Sequence, residues 1–139
     1  MPEAKETQGV LINDKIYLIG GFNKIALNTI ETYNLETGIW EKEGELFKGI
    51  NNPTVTSNGN TIYFFDDGNI YTYNILTKEL NKYLIDLSLI SAKLFFNNNT
   101  LYILGGYKET MYSIFPSDGL FSIDIKEFNT TKVSKTKTL

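Results

Sequence analysis

Apolar residues in this chain come in short runs, broken by Gly, Asn and Asp, and nowhere hold a long helical period. That pattern predicts an all-β protein. Three runs align with one another: Ile16-Tyr17-Leu18-Ile19-Gly20-Gly21, Ile62-Tyr63-Phe64-Phe65-Asp66-Asp67 and Leu101-Tyr102-Ile103-Leu104-Gly105-Gly106. Each follows a turn sequence, Asn13-Asp14-Lys15, Asn58-Gly59-Asn60 or Asn97-Asn98-Asn99. Asn and Gly tolerate the positive φ angles of tight hairpins. Tyr17 and Tyr63 lie 46 positions apart, and Tyr63 and Tyr102 lie 39 apart. Such a period of about 40 to 50 residues marks a repeat architecture.

The agreement continues downstream. An alternating strand follows in each unit: Ile30-Glu31-Thr32-Tyr33-Asn34, Ile70-Tyr71-Thr72-Tyr73-Asn74 and Leu120-Phe121-Ser122-Ile123-Asp124. The turns Leu35-Glu36-Thr37-Gly38 and Ile75-Leu76-Thr77-Lys78 then lead to outer strands, expected to start near Ile39-Trp40, Glu79-Leu80 and Glu127-Phe128. Upstream candidates are Gly9-Val10-Leu11-Ile12, Pro53-Thr54-Val55-Thr56 and Ala92-Lys93-Leu94-Phe95-Phe96. Four strands in each of three units predict twelve strands, in units of about 8–46, 52–85 and 90–135 within a single domain of 8–139. Residues 1–7 form an N-terminal extension. The last outer strand is expected over Thr130-Thr131-Lys132-Val133-Ser134-Lys135, and Leu84 to Leu94 has room for a helical turn.

Composition narrows the chemistry. The 139 residues include no Cys and no His, and all 13 basic residues are Lys. Thiolate chemistry, imidazole base catalysis and the usual zinc sites are thereby excluded from this chain. So is guanidinium recognition of phosphate. A net charge of −3 argues against a nucleic-acid partner. No run reaches the roughly 20 apolar residues of a membrane span, and MPEAKETQGV lacks an apolar signal-peptide core. The expectation is a soluble chain of undetermined location.

These residues resemble the kelch repeat: a strand ending in Gly-Gly, a Tyr on the next strand, and a Trp opening the outer one. Unit one carries the set as Gly20, Gly21, Tyr33 and Trp40; unit three keeps Gly105 and Gly106, with Ile123 and Phe128 in the aromatic places. Unit two keeps Tyr73 but has Asp66-Asp67 and Leu80 where the glycines and Trp would stand. The resemblance implies a β-propeller segment of three four-stranded antiparallel blades. It also implies that Tyr33 and Trp40 fill space between blades, with the Trp40 indole donating to a backbone carbonyl. Propellers close with about 4–8 blades. Three blades therefore imply either a longer chain or a homodimer that completes a six-bladed ring, and the whole number of units favours self-association.

Propeller loops at one end of the channel are the expected contact surface. The candidate binding residues are Phe22, Asn23, Lys24, Asn51, Asn52, Tyr107, Tyr112 and Phe115, on the loops after Gly-Gly and the connections between units, the second of which holds Asp86-Leu87-Ser88. The expected function is a non-catalytic binding or scaffold module for a protein or carbohydrate. The alternative is a fragment of a sugar-active propeller enzyme, oxidase or isomerase, whose catalytic residues lie elsewhere. No catalytic residue, metal ligand or cofactor is assigned. Asp66 and Asp67 are adjacent on a strand and point to opposite faces, and Asp67-Gly68-Asn69 reads as a turn. Glu41, Glu43 and Glu45, at period two, read as a solvated outer-strand face that discourages edge pairing.

Overall fold

The computed structural model describes residues 3–66, 68–85, 87–130 and 134–138. Its frame is three four-stranded antiparallel sheets. The first orders β1 (Glu6–Ile12), β2 (Lys15–Asn23), β4 (Thr29–Asn34) and β5 (Trp40–Glu45), with β3 (Ile25–Ala26) folded onto the end of β2. The second contains β6 (Thr54–Asn58), β7 (Thr61–Asp66), β8 (Asn69–Asn74) and β9 (Leu80–Leu84). The third contains β10 (Lys93–Asn97), β11 (Thr100–Leu104), β14 (Gly119–Asp124) and β15 (Ser134–Thr138). A separate hairpin, β12 (Tyr107–Glu109) with β13 (Ile114–Pro116), rises between β11 and β14. These are propeller blades.

Local chemistry sets the turns. Asn13, Gly59, Asn98 and Asn99 take positive φ in the two-residue hairpins that open each blade. At the next corner the last residue of the strand acts as an Asx turn. Asn34 Oδ1 accepts the Glu36 and Thr37 N–H groups, and Asn74 Oδ1 accepts those of Leu76 and Thr77. Gly38 and Lys78 then occupy equivalent positive-φ positions before the outer strand.

The third blade departs here. Asp124 Oδ1 accepts the Lys126 N–H at 2.9 Å, and the chain winds into a 3-10 turn over Ile125–Thr130. The outer strand therefore does not start near Glu127-Phe128 but at Ser134; Thr131, Lys132 and Val133 lie outside the described residues. Within this turn Phe128 is buried against Tyr83 and Tyr63 of the second blade at ring separations of 5.0 and 5.9 Å. The 3-10 turn holds that ring in the second seam. Among the described residues of Leu84 to Leu94 there is no helix either. Ile90 instead pairs with Tyr107, and Ser91 takes a φ of 58°.

Strand alternation gives each blade two faces, and the two seams follow from it. Tyr17, Ile19 and Ile30 of the first blade meet Ile62, Phe64, Tyr71 and Tyr73 of the second. Tyr63, Phe65 and Ile70, on the opposite face of the second blade, meet Leu101, Ile103 and Ile123 of the third. Phe64 and Tyr71 stack within the first seam, centroids 4.9 Å apart. Each fully buried side chain of this size contributes about 1.5–3 kcal/mol. First strands lie nearest one another, β1 beside β6 and β6 beside β10, which puts them innermost. Among the described residues no helix is long and apolar enough to cross a membrane.

Candidate functional site

Antiparallel order places the loops after β2, β7 and β11 at the same end of the sheets as the connections between blades. Backbone bonds stitch this end together in the first blade. Gly21 N–H donates to Ile50 C=O at 2.8 Å, Ile50 N–H to Leu27 C=O at 3.0 Å, and Leu27 N–H to Gly21 C=O at 2.8 Å. Gly20 makes that closeness possible: it has a φ of 56°, and a Cβ there would sit 2.6 Å from the Ile50 carbonyl oxygen.

The eight candidate contact residues all lie at this end, in three groups. Phe22, Asn23 and Lys24 stand on the first blade, where Asn23 Nδ2 donates to Glu3 Oε1. Asn51 and Asn52 are exposed on the connection to the second blade. Tyr107, Tyr112 and Phe115 belong to the β12–β13 hairpin of the third. The hairpin is not a free loop: Ile90 and Tyr107 exchange both backbone hydrogen bonds, at 2.8 and 2.9 Å. Thr110 ties its tip, its Oγ1 accepting the Ser113 N–H at 3.1 Å. Beyond that root the hairpin is open, with apolar side chains exposed among Lys108, Glu109, Thr110 and Ser113. Met111 is 89% exposed and Tyr112 91%, with Ile114 and Phe115 exposed beside them. Phe47 and Ile25 add exposed apolar surface at the same end. Met111 and Ile114 had a sequence signal, aliphatic residues within a turn-rich stretch.

A cavity of about 210 Å³ opens at this end, between the second and third blades. Phe65, Leu89, Ile90 and Ala92 contribute apolar wall; Asn51, Asn52, Thr54, Asp66 and Ser91 contribute polar groups. The sequence does not single out Ile90 and Ser91, whose connection is tied to the hairpin by the Ile90–Tyr107 pairing between distant segments. Lys48 approaches Asp66 at 3.6 Å. Burial pushes the Tyr71 hydroxyl above its usual pKa, and the Asp66 carboxylate adds to the rise. Asp67 and Asp86 lie outside the described residues.

The opposite end has a shallower opening of about 390 Å³ at the first seam, bordered by Tyr17, Glu43 and Lys78. Glu43 does not stand on a solvated face. A bulge between Ile30 and Glu31 leaves Glu43 outside the pairing of β4 with β5 and breaks the period-two row. Its carboxylate is 9% exposed, receives Lys78 across the seam, and accepts the Tyr73 hydroxyl at 3.4 Å. Glu45 pairs with Lys42 instead, which holds its carboxyl below the usual value. Among the described residues no three of His, Cys, Asp and Glu converge on a point.

Trp40 meets Tyr33 of its own blade, ring centroids 4.7 Å apart. A tilted ring contact, with the planes 42° apart, is what the structure gives it in place of a hydrogen bond. Among the described residues neither ring lies between two blades. Residues 8–46, the whole of that blade, match the family described as the Kelch motif. The chain carries a kelch repeat. Among solved structures, the one titled "Structure of YjhT" superposes with a TM-score of 0.75 at 11% identity. The match covers 96% of this chain and 52% of that one, so this chain spans about half its length. At that identity the likeness shows the propeller-blade fold alone. No curated protein sequence matches the chain. Beyond the kelch repeat of the first blade, the second and third are blades by structure.

Proposed function

We propose that this kelch-repeat chain is a protein-binding module whose contact surface is the loop end, centred on the β12–β13 hairpin. One observation carries the reading: Met111, Tyr112, Ile114 and Phe115 are exposed together on a hairpin whose root is fixed by the Ile90–Tyr107 pair. Four large apolar side chains exposed within five residues are more than the single scattered ones of an ordinary surface, and aromatic anchors on a rigid support lose little entropy on binding. Phe22, Asn23 and Lys24 flank the surface from the first blade, and Asn51 and Asn52 from the connection. The fold supports a general binding or scaffold role; the choice of a protein ligand rests on the apolar character of the hairpin.

The test is selection of peptides from a random display library on the wild-type chain, followed by titration on M111A/Y112A. Loss of affinity by about 30-fold or more is expected, the size of a hot-spot anchor of about 2 kcal/mol. Circular dichroism should be unchanged, because both side chains stand in solvent. Equal affinity for the variant would refute the assignment. A second reading is supported by the cavity, whose Asp66, Asn51, Asn52 and Ser91 offer hydrogen-bond partners to a neutral sugar. Glycan-array binding that survives M111A/Y112A and is lost on Asp66→Asn would favour it.

A further inference from the structure

The two seams are built alike, and each blade uses a different face in each role. Ile62, Phe64 and Tyr73 turn backward onto the first blade; Leu101, Ile103 and Ile123, at the aligned places, turn backward onto the second. The corresponding residues of the first blade are Ile16, Leu18 and Tyr33, and the register joins Leu11, Ile16, Tyr33 and Trp40 into one row across four strands. In the other two blades the residue at the Trp40 place packs against the preceding blade: Leu80 at the first seam, Phe128 on Tyr63 and Tyr83 at the second. The first blade thus has a complete backward face that none of the described residues covers with another blade.

The third blade shows the converse. Tyr17 and Tyr63 face forward into the two seams, followed by Ile19 and Phe65. Their counterparts Tyr102 and Leu104 share a face with Phe95, which pairs with Tyr102 and is 54% exposed. Leu11 on the backward face is 59% exposed. One chain therefore presents both halves of a seam that it already forms twice internally.

We propose that a second copy of this chain covers both faces. The backward face of each first blade docks on the forward face of its partner's third blade, and the two equivalent contacts close one ring of six blades. A two-fold axis suffices, because each copy supplies one half of each new seam. This chain covers 52% of the YjhT chain, so two copies together match that chain in length. The inference is independent of what the loop end binds.

Trp40 is the sole Trp of the sequence and lies on the face in question, so its fluorescence reports this seam. Light scattering on a sizing column should give twice the 15.8 kDa chain mass. Dilution through the dissociation range should shift Trp40 emission to the red and raise its quenching by acrylamide. Phe95→Glu on the forward face and Leu11→Glu on the backward face should each weaken association at least 100-fold. Because both positions are solvent-facing in the single chain, circular dichroism should show folded monomers. The proposal is overturned by a wild-type monomer with a quenchable Trp40, by open assemblies larger than two, or by dimers that survive both substitutions.

Discussion

Gly20 and Gly105 occupy the same place in two blades, yet replacing each by Ala should have different costs. Both have a left-handed φ, 56° and 72°, and an L side chain in that region costs roughly 1–2 kcal/mol. At Gly105 that is nearly the whole effect, because a Cβ there meets nothing within 4 Å. At Gly20 the new Cβ would lie 2.6 Å from the Ile50 oxygen and 3.1 Å from the Leu27 oxygen. The connection must move, and with it the bond from Gly21 N–H to Ile50 C=O, worth about 1 kcal/mol net. Ile50, 2% exposed, is drawn out of the first seam as well. Gly20→Ala should therefore cost about 3–5 kcal/mol and Gly105→Ala about 1–2, against a total stability of order 5–15 kcal/mol. Urea unfolding followed by circular dichroism, at one fixed protein concentration, measures both. Equal losses would show that the backbone angle alone decides, and that the close approach of the connection adds nothing.

Two further outcomes follow from the seams. Tyr17, Tyr63, Tyr71 and Tyr73 all have hydroxyl pKa values raised above 10.0, chiefly by burial. The folded chain thus holds these protons more tightly than the unfolded one, so their contribution is complete below about pH 10 and is lost as pH rises through the folded values. The melting temperature should decline above about pH 10 together with the rise of tyrosinate absorbance; full tyrosinate absorbance in a still-folded chain at pH near 10 would contradict the sign. Phe128→Ala should cost about 3–5 kcal/mol, since its ring packs on Tyr63 and Tyr83; a loss below about 1 kcal/mol in urea unfolding would mean that the 3-10 turn does not anchor the second seam.

The strand repeat was legible because it rests on local signals: Asn and Gly at the hairpins, alternation on β4, β8 and β14, and aligned Tyr residues. What escaped depends on pairing between distant segments. Glu41, Glu43 and Glu45 read as one exposed row until the bulge opposite Ile30 and Glu31 turned Glu43 towards Lys78. The place of Phe128 matches Trp40 in sequence and so reads as the start of a strand, whereas the chain there winds into a 3-10 turn that packs Phe128 on the second blade. The candidate contact residues were readable as loop residues at one end. The hairpin that presents three of them was not, since Tyr107 owes its position to Ile90, a residue on another connection.

The same corner of the three blades is built at three lengths. β7 ends at Asp66 and β8 starts at Asn69, the first blade inserts β3 between β2 and β4, and the third carries residues 105–118 between β11 and β14. Underneath, the paired strands keep the same register rules. Loop-closure entropy rises only logarithmically, so growing this corner from the second blade's length to the third's costs roughly 2 kcal/mol. Mutation can therefore lengthen or recolour the corner without touching the seams, and selection can try new ligands on an old frame. The second blade, with its minimal turn, is the vacant plot: a grafted loop there would stand between the first blade's loop and the hairpin, beside Asp66.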